Sequence, residues 1–315
     1  MNDRANPASQ PSPDGTRPSL PGSRLYLHKL DLPPETLLDY LCAVYPHVGR
    51  EAWRSRADRG LLTLEDGRAV TQATRYLQGE TVRYEREVVN EPAAEALETI
   101  LYEDDCLLVA DKPHGMPVTP AGDYVDRSLL VRLKKRTGID ELVPAHRLDR
   151  DTAGVVVFVK KRADRGRYHA LWSERRIDRE YHALALLRQE PVRETWIVEN
   201  RVEAGTPWFR QRIVPGLPNA VSEIRLEQRR RDLGFFHIRP QTGKKHQIRI
   251  HMSEIGYSIL GDPLYPQLAA VRGEMLPLQL VAARLRFTDP VSGAPHTFAS
   301  ARVLSYQTWQ PNSDT

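Results

Sequence analysis

Five consecutive apolar residues, four valines and a phenylalanine, occupy positions 155–159 and directly follow a strongly polar stretch at 146–154. β-Branched and aromatic residues at this density are typical of a buried strand. The polar stretch contains two aspartates, two arginines and a histidine, and it ends at Gly154, which permits a tight entry into the strand. The sequence therefore predicts a core strand with charged side chains clustered just before its N-terminal end.

A carboxylate at the mouth of a core strand has a rigid mount and a partly dry environment. Those are the conditions under which a carboxylate works as a nucleophile or as an acid–base group. Asp149 and Asp151 are the two acids in this position. An isolated pair of this kind more often makes turn and salt-bridge contacts, so a catalytic interpretation depends on the other stretches described below.

Length and composition limit the class of protein. A chain of 315 residues of which 40% are hydrophobic can bury a sizeable core, and it indicates two domains, or one large and one small. The formal net charge is +4, and arginines cluster at 50–59, 162–179 and 225–231. Such clusters favour a polyanionic partner, although each one taken singly is equally consistent with a solvated basic surface.

Two cysteines, Cys42 and Cys106, are too few and too far apart to predict a disulfide framework or a cysteine metal site. The sequence has no apolar run of 18 residues and no signal-peptide core. We therefore expect a soluble, cytoplasmic protein that does not contact a membrane.

Composition changes along the chain predict four segments. Residues 1–22 are rich in proline, serine and glycine and are expected to be a disordered tail. Residues 23–87 form a small unit, residues 88–98 a linker that runs into a short helix, and residues 99–307 the larger domain. In the small unit, a basic helix at 50–57 with Arg50, Arg54 and Arg56 exposed precedes a hairpin, an arrangement that can offer positive charge to a phosphate backbone.

The larger domain is predicted to be dominated by strands. Alternating patterns indicate strands at 179–187, 222–227 and 234–240, whereas residues 188–221 read as irregular hairpin and loop. Residues 278–285 fit either a helix or a strand. Because no βαβ alternation is visible, the predicted fold class is α+β, with a mixed, mostly antiparallel central sheet, flanking helices and a small N-terminal α/β module.

Several chemistries are disfavoured by the motifs. His246 and His251 have no partner cysteines and no HExxH pattern, so no metal site is expected. The chain contains no GxSxG elbow and no Walker loop. Asp149 and Asp151 could be considered as a glycosidase pair, but two residues so close on one loop rarely straddle a substrate.

Three residue types remain as a chemical set: the carboxylate of Asp149, the phenol of Tyr181 and the guanidinium of Arg249. A nearby guanidinium favours the ionised carboxylate and orients it. A phenol can stack on a planar base and relay a proton. Taken singly, Tyr181 is more often a core aromatic residue and Arg249 a surface charge, but together in a basic cleft they suit chemistry on a nucleobase.

Three motifs in order resemble those of the RluA-type pseudouridine synthases. They are residues 146–149 with Thr152 and Gly154; Arg179, Tyr181 and Ala183; and Thr242-Gly243 followed by residues 246–249 and His251. The resemblance covers about residues 30–305. The small unit also resembles an RNA-binding module found in ribosomal proteins, tRNA synthetases and RNA-modifying enzymes. One such motif is weak, whereas three in the right order form a strong signature.

The resemblance implies isomerisation of uridine to pseudouridine in RNA, without cofactor or metal. Asp149 matches the catalytic nucleophile, Tyr181 the tyrosine that stacks on uracil and helps to remove the ring proton, and Arg249 the basic partner of the aspartate. Whether the attack falls on the ribose or on the uracil ring stays open. The mechanism requires Asp149 to lie within about 4 Å of Arg249 and to reach an opening wide enough for a nucleotide.

Further residues of the same motifs are expected to contact the RNA: Arg147, His146, Thr152, Lys244, His246 and Gln247. Arg147 is expected to contact or replace the extruded nucleotide. Three positions depart from the family pattern, with Ala153 for serine, Lys244 for arginine and Arg179 for lysine. Lysine for arginine weakens bidentate contacts, so the departure at Lys244 bears on substrate choice more than on catalysis.

The partner is therefore expected to be ribosomal or transfer RNA, and the protein is expected to be a monomer. Two other functions remain open from sequence. One is a non-catalytic RNA-binding or ribosome-assembly protein on the same fold. The other is a different uracil or nucleoside enzyme, such as a glycosylase, which would release free base, whereas isomerisation leaves the mass of the RNA unchanged.

Overall fold

The computed structural model describes residues 23–46, 48–84, 91–92, 96–122, 124–187, 191, 193–207, 209–268 and 276–304. The chain divides into two compact units, Met1–Val89 and Asn90–Thr315. The predicted tails at 1–22 and 308–315 lie outside the described residues, as does the predicted end of the larger domain at 305–307. No helix within the described ranges is long and apolar enough to cross a membrane.

The first unit packs two short helices on a three-stranded antiparallel sheet of strand order β1-β3-β2. Its elements are β1 (Ser23–Tyr26), α1 (Leu37–Val44), α2 (Arg50–Asp58), β2 (Leu62–Leu64) and β3 (Thr81–Tyr84). Thr36 caps the start of α1, because its hydroxyl oxygen accepts a hydrogen bond from the backbone N–H of Asp39 at 3.1 Å.

The basic helix α2 differs from the prediction at one arginine. Arg50 and Arg54 are exposed, but Arg56 is half-buried and lies 5.0 Å from the ring centre of Trp53, a core residue. A guanidinium over an indole face is a favourable cation–π contact, so Arg56 packs against the core instead of facing solvent.

The second unit contains eleven strands and three helices among its described residues. They are β4 (Thr99–Glu103), β5 (Leu107–Lys112), α3 (Leu129–Thr137), β6 (Val143–Pro144), β7 (Ala153–Val159), α4 (Arg165–Ser173), β8 (Asp178–Leu186), β9 (Thr195–Ala204), β10 (Gln211–Val214), β11 (Ala220–Arg230), β12 (Leu233–Pro240), α5 (Gln247–Glu254), β13 (Leu280–Thr288) and β14 (Pro295–Ala299). A single 3-10 turn, Arg162–Asp164, precedes α4.

These strands form one sheet of order β10-β9-β11-β12-β8-β13-β7-β5-β4, with β14 paired to β13 and β6 to β7. Among the described strand pairs, β7 and β13 run parallel and the others are antiparallel. The predicted α+β class with a mixed, mostly antiparallel sheet is therefore confirmed.

The apolar run at 155–159 lies in β7, and every residue of that strand is buried. Val155, Val157 and Val159 pack with residues of α4, whereas Val156 and Phe158 pack with residues of α3. Helices cover both faces, so the strand needs apolar side chains at consecutive positions instead of the alternating pattern of a half-buried strand.

Gly154 allows β13 to approach β7 closely. Its φ is +116°, and a Cβ built there would lie 2.2 Å from the carbonyl oxygen of Ala282. Ala282 is also its partner in the parallel pairing. A side chain at position 154 would therefore clash with the backbone of β13, which explains why glycine stands at the entry to the strand.

The described part of residues 188–221 is not irregular as predicted, because it contains β9, β10 and the start of β11. The side chains of β9 do alternate, with Trp196, Val198 and Val202 buried. Ile197 is apolar although it is 69% exposed, so the sequence does not show the alternation of polar and apolar residues that marks a half-buried strand. Residues 278–285, for which helix and strand were both open, contribute to strand β13.

The predicted linker at 88–98 is not free of contacts at its described residues. The carboxylate of Glu91 accepts hydrogen bonds from the backbone N–H groups of Asp126 and Arg127 at 2.7 and 2.8 Å. Glu98 is buried and pairs with Arg132 at 2.6 Å. These residues belong to the second unit by their contacts, and the described positions 91–92 and 96–98 are not helical.

Candidate active site

The predicted nucleophile Asp149 lies on a turn that leads directly into β7. The backbone N–H of Thr152 donates to the carbonyl of Asp149 at 3.2 Å, which closes the turn. Leu148 is buried in the core beside it. The Asp149 side chain itself remains 26% exposed, so a buried frame holds a carboxylate that solvent and substrate can reach.

A buried lysine also holds this turn through hydrogen bonds to backbone carbonyl oxygens. Lys112, at the end of β5, donates from Nζ to the carbonyl oxygens of Pro113, Met116 and Arg150 at 2.9, 2.7 and 2.8 Å. Burial lowers the pKa of Lys112 to about 7, although the negative charges of Asp151 and Asp149 oppose that shift. Lys112 therefore joins the loop after β5 to the turn that carries Asp149.

Asp149 faces two nitrogen groups from the third motif. Its Oδ2 lies 3.7 Å from Nη1 of Arg249, and its Oδ1 lies 3.9 Å from Nε2 of His246. The separation between Asp149 and Arg249 meets the requirement of about 4 Å that the mechanism sets. Both separations exceed hydrogen-bond length, so the carboxylate is attracted by its neighbours without being locked to them.

Arg249 is held in place by a second acid, Asp262, which was not among the predicted site residues. Nε and Nη2 of Arg249 donate to Oδ2 and Oδ1 of Asp262 at 2.8 and 2.6 Å, a bidentate pair. Burial lowers the pKa of Arg249, but Asp262 and Asp149 raise it by more, so the pKa lies above its ordinary value. Arg249 is 2% exposed and stays charged between two carboxylates.

Asp262 is itself fixed by the backbone that follows it. Its Oδ1 accepts hydrogen bonds from the N–H groups of Leu264 and Tyr265 at 2.8 and 3.1 Å. The Asp262 side chain is 1% exposed. A buried arginine needs a buried counter-ion. That requirement is the one signal that could have identified Asp262, but the sequence alone does not show that Arg249 is buried.

His246 presents a neutral imidazole to Asp149. Burial lowers the pKa of His246 to about 4, against the opposing effect of Asp149. Its Nδ1 lies 3.0 Å from the hydroxyl of Tyr265, which also accepts from the N–H of Gln211 at 2.7 Å. If the Tyr265 hydroxyl donates to Nδ1, the ring proton is assigned to Nε2, the atom that faces Asp149.

Tyr181 lies on β8 and packs against the clusters that contain Leu148 and Ile248. Burial raises the pKa of its phenol, the positive charge of Arg179 opposes the shift, and the negative charge of Asp149 adds to it. The phenol is therefore protonated at neutral pH, and it is close enough to Asp149 to respond to that charge.

Arg179 connects the second motif to the third. Its Nη2 donates to the carbonyl oxygens of Pro240 and Thr242 at 2.9 and 3.2 Å. A Cβ at Gly243 would lie 3.2 Å from Nη1 of Arg179. The guanidinium thus anchors the turn before α5 to the strand that carries Tyr181.

Gln247, predicted to bind RNA, uses its amide inside the fold. Its Oε1 accepts from the Thr242 hydroxyl and the Lys244 N–H, and its Nε2 donates to the carbonyl of Val221 and the hydroxyl of Ser222. These contacts fill the hydrogen-bonding capacity of the amide. Gln247 therefore fixes the start of α5.

His146, also predicted to contact RNA, is likewise occupied within the fold. Its Nε2 accepts from the N–H of Val157 at 3.2 Å, and its ring stacks on Trp172 with centroids 4.7 Å apart. Burial lowers the pKa of His146 to about 3, so the ring is neutral. Thr152 is buried beside the turn, whereas Arg147 and Lys244 are exposed.

The structure therefore brings Asp149, Tyr181, His246 and Arg249 together and adds Asp262, which sequence analysis missed. An anionic nucleophile beside a buried cation and a protonated phenol can attack an electrophilic carbon and accept or relay a proton.

A family model described as RNA pseudouridylate synthase matches residues 106–254. An uncharacterized RNA pseudouridine synthase of Synechocystis sp. is 28% identical over 242 residues, covering 73% of this chain and 79% of that protein. The ribosomal large subunit pseudouridine synthase D of Vibrio vulnificus is 30% identical over 268 residues, covering 78% and 82%. The structure of human RNA pseudouridylate synthase domain containing 1 shares the fold, with a TM-score of 0.56 and 20% identity over 68% of this chain and 86% of that one.

The fold and these matches define an RNA-modifying isomerase. The chain belongs to the RNA pseudouridylate synthase family and is of the RluA type that its three motifs indicated. It is an RNA pseudouridine synthase, an enzyme that isomerises uridine to pseudouridine in RNA.

Proposed function

We propose that Asp149 is the nucleophile with which this enzyme isomerises uridine in structured RNA. The observation that carries this assignment is the position of its carboxylate, which is partly exposed and lies 3.7 Å from the buried guanidinium of Arg249. The positive charge of Arg249 attracts this carboxylate and orients it in the site.

The geometry also supports the reactivity of the carboxylate. Arg249 gives its two short hydrogen bonds to Asp262, and His246 gives one ring nitrogen to Tyr265. Asp149 is left with longer contacts to both. Among the described residues, no close hydrogen bond occupies the Asp149 carboxylate, so its lone pairs stay available to the substrate.

The reaction balances without an external reagent. Attack by the Asp149 carboxylate, on C1′ of the ribose or on C6 of the uracil, leads to cleavage of the bond between N1 and C1′. The base turns, C5 bonds to C1′, and Asp149 is released. The proton leaves C5, and N1 gains one. The sum is an isomerisation with no oxidation or reduction, so no step calls for a cofactor.

Tyr181 is assigned the ring contact and the proton transfer. Its phenol is protonated at neutral pH and lies close enough to Asp149 for the negative charge of that carboxylate to raise the phenol pKa. A tyrosine in that position can stack on the extruded uracil and relay the C5 proton. The uridine must leave its stack to reach Asp149, and the exposed Arg147 is placed on the same turn to fill or line the vacated space.

The RNA-contacting residues then divide by exposure. Arg147 and Lys244 are exposed and suit phosphate contacts. His146, Thr152 and Gln247 act by holding the loops, because their polar groups are buried or already bonded in the fold. His246 serves the site through Asp149.

The substrate is proposed to be ribosomal or transfer RNA. The relative from Vibrio vulnificus is named for the ribosomal large subunit, which supports testing large-subunit RNA first. The N-terminal unit is proposed to act as an RNA-binding module. The enzyme is proposed to work as a monomer in the cytoplasm, residues 99–307 forming the catalytic domain.

The Asp149→Asn variant tests the assignment of the nucleophile. Asparagine keeps the size of the side chain but loses the anionic nucleophile, so pseudouridine formation should fall by about 10³-fold or more while RNA affinity is retained. Asp126→Asn, which changes an exposed acid of the same unit, should keep full activity. Pseudouridine retained at wild-type rate in the Asp149→Asn variant would show that another group is the nucleophile.

The identity of the RNA is tested by mapping pseudouridine in ribosomal and transfer RNA from a strain that lacks the protein. Positions lost in that strain should return with the wild-type gene and not with Asp149→Asn. The mass of the modified RNA should be unchanged, because isomerisation releases no base. Release of free uracil would instead indicate a glycosylase.

A further inference from the structure

Three side chains with metal-binding groups converge on the sheet away from Asp149. They are Glu180, His182 and His237, and one ligand atom from each lies within 4.8 Å of the others. The two histidines come from β8 and β12. Sequence analysis had considered only His246 and His251 as ligands, since His182 and His237 become neighbours through strand pairing alone.

Strand register holds the three groups in place. His182 and His237 are directly opposite each other in the antiparallel pair of β8 and β12. Glu180 is two residues before His182 and so shares its face of the sheet. Tyr181 stands between Glu180 and His182 in the sequence, so its side chain points to the opposite face of the sheet. The cluster is therefore separate from the uridine site.

The distances fit a tetrahedral ion. Oε1 of Glu180 is 3.0 Å from Nε2 of His237 and 3.6 Å from Nε2 of His182. Zinc binds imidazole nitrogen and carboxylate oxygen at about 2.0–2.2 Å, and the edge of a regular tetrahedron of that size is roughly 3.3–3.6 Å. The separation from His182 therefore already matches one edge of the coordination polyhedron, and the shorter, hydrogen-bonded separation from His237 has to lengthen only slightly when an ion binds.

The second oxygen of Glu180 is already oriented by arginines. Oε2 lies 3.4 Å from Nη1 of Arg284 and 3.4 Å from Nη2 of Arg286, both on β13. This leaves Oε1 facing the histidines. Hydrogen-bonded outer partners of this kind fix a ligating carboxylate in other metal sites.

The surrounding charges balance. The positive side chains around the cluster are Arg284, Arg286 and, opposite His237 on β11, Arg225. The negative ones are Glu180 itself, Asp178, which pairs with Arg286, and Glu227, which pairs with Arg225. A cation entering the cluster therefore does not face a net positive charge from these groups.

His182 can serve as a neutral ligand. Burial lowers the pKa of His182, and the nearby His237 lowers it further, so the His182 imidazole is uncharged near neutral pH. The His182 side chain is 32% exposed, which leaves access for the ion and for a water ligand.

We propose that Glu180, His182 and His237 form a binding site for a divalent transition-metal ion, with Zn²⁺ as the best-matched ion. Two imidazoles and one carboxylate are a ligand set that Zn²⁺ accepts, with water in the fourth position. The ion would join β8 to β12. Because β8 carries Tyr181 on its other face, the bound ion stabilises the strand that supports the uridine site without touching the substrate.

Metal binding is measured on the full-length, tag-free protein after treatment with chelator. Co²⁺ is titrated and followed by its visible absorption, which is intense only in tetrahedral coordination, and Zn²⁺ is then added to displace it. One equivalent of Co²⁺ should bind, and Zn²⁺ should abolish the absorption. Zn²⁺ should also raise the melting temperature of the wild-type protein.

Three variants assign the ligands: Glu180→Gln, His182→Ala and His237→Ala. Each should weaken binding by roughly 100-fold or more, since even changes to outer partners cost about 10–100-fold. His169→Ala, an exposed histidine on α4, is the matched control and should bind like the wild type. The Zn²⁺-dependent rise in melting temperature should vanish in the three variants and persist in the control.

Two outcomes would overturn the assignment. One is the absence of saturable binding at 1:1 stoichiometry in the wild type. The other is binding that survives in Glu180→Gln and His182→Ala, which would place the ion elsewhere. His182 is partly exposed, so His182→Ala gives a folded test, checked by circular dichroism, even if His237→Ala does not fold.

Discussion

Arg249 interacts with two acids, and it lies closer to Asp262 than to Asp149. Asp262 takes two hydrogen bonds at 2.8 and 2.6 Å, and Asp149 lies at 3.7 Å. A guanidinium without its closer partner would move toward the remaining carboxylate, because a buried cation is strongly destabilised when unpaired. Asp262 therefore sets how closely Arg249 approaches the proposed nucleophile.

Removing the charge of Asp262 should impair turnover more than RNA binding. In Asp262→Asn, Arg249 is expected to close onto Asp149 and occupy the oxygen that attacks, so kcat should fall by about 100-fold with little change in KM. Asp126→Asn is the control in steady-state assays. A change confined to KM would mean that Asp262 serves RNA binding instead.

Buried neutral histidines make the protein sensitive to acid. Burial lowers the pKa of His251 and of His246 to about 4, although Asp149 opposes the shift at His246. The unfolded chain takes up protons below pH about 6.5 while these folded residues stay neutral until about pH 4. Their stabilising contribution is therefore complete above pH 6.5 and is lost as the pH falls through about 4.

His251 allows that prediction to be tested alone. It is fully buried, and a shift of this size corresponds to about 3 kcal/mol of unfolding free energy. Urea unfolding between pH 7.5 and 4.5 should show a shallower loss of stability in His251→Gln than in the wild type. His169→Gln, at an exposed position, should follow the wild-type curve. Equal slopes in all three proteins would show that His251 does not titrate in this way.

At the scale of elements, the parallel contact of β7 with β13 supports the site. Residues of β7 follow the Asp149 turn, and β13 also pairs with β8, the strand of Tyr181. The turn of the proposed nucleophile therefore leads into β7, and the proposed ring contact lies on β8; these two strands flank β13. The separation between these strands depends on Gly154.

Gly154→Ala should disrupt both stability and activity. The added Cβ would lie 2.2 Å from the Ala282 carbonyl oxygen, and the φ of +116° is itself unfavourable for alanine. We expect a loss of about 3 kcal/mol or more of unfolding free energy, measured by urea denaturation. Gly138→Ala has positive φ but open space around it, so it should cost only about 1–2 kcal/mol. Similar losses in the two variants would mean that the backbone contact is unimportant.

At the scale of the whole molecule, the chain combines a small unit with a larger one that contains the region matched by the synthase family model. Several arginines of the small unit are already paired: Arg50 with Asp39, and Arg24 and Arg83 with Glu65. RNA phosphates must compete with these acids for the arginines. We therefore expect the small unit to contribute moderately to RNA affinity, and this contribution should be sensitive to salt.

Removing two exposed charges from α2 tests the proposed role of this unit. The double change Arg50→Ala and Arg54→Ala should weaken RNA binding several-fold, and the slope of log affinity against log salt should become shallower by about 0.9 for each phosphate that the variant no longer neutralises. At saturating RNA, kcat should not change. Glu51→Ala on the same helix should not weaken binding, and a weaker complex in that control alone would contradict the role of positive charge.

Local patterns were sufficient for part of the fold. The apolar run of β7 lies where the sequence predicted it, and the cap at Thr36 and the end of α3 at Gly138 likewise depend on residue type and neighbouring positions. β9 was missed because its exposed Ile197 obscured the alternation. The prediction of α+β class succeeded since it needs only the element types and their order.

Sequence by itself determined the family motifs and therefore the chemistry that Asp149, Tyr181 and Arg249 were expected to perform. Only the tertiary structure decided that Asp262 forms the bidentate ion pair with Arg249 and that the Gln247 amide makes its hydrogen bonds within the protein. It also placed His182 directly opposite His237. Hydrophobic period and capping are encoded within a few residues. Partners far apart in the chain depend on strand order and register, which place them face to face only after the sheet has formed.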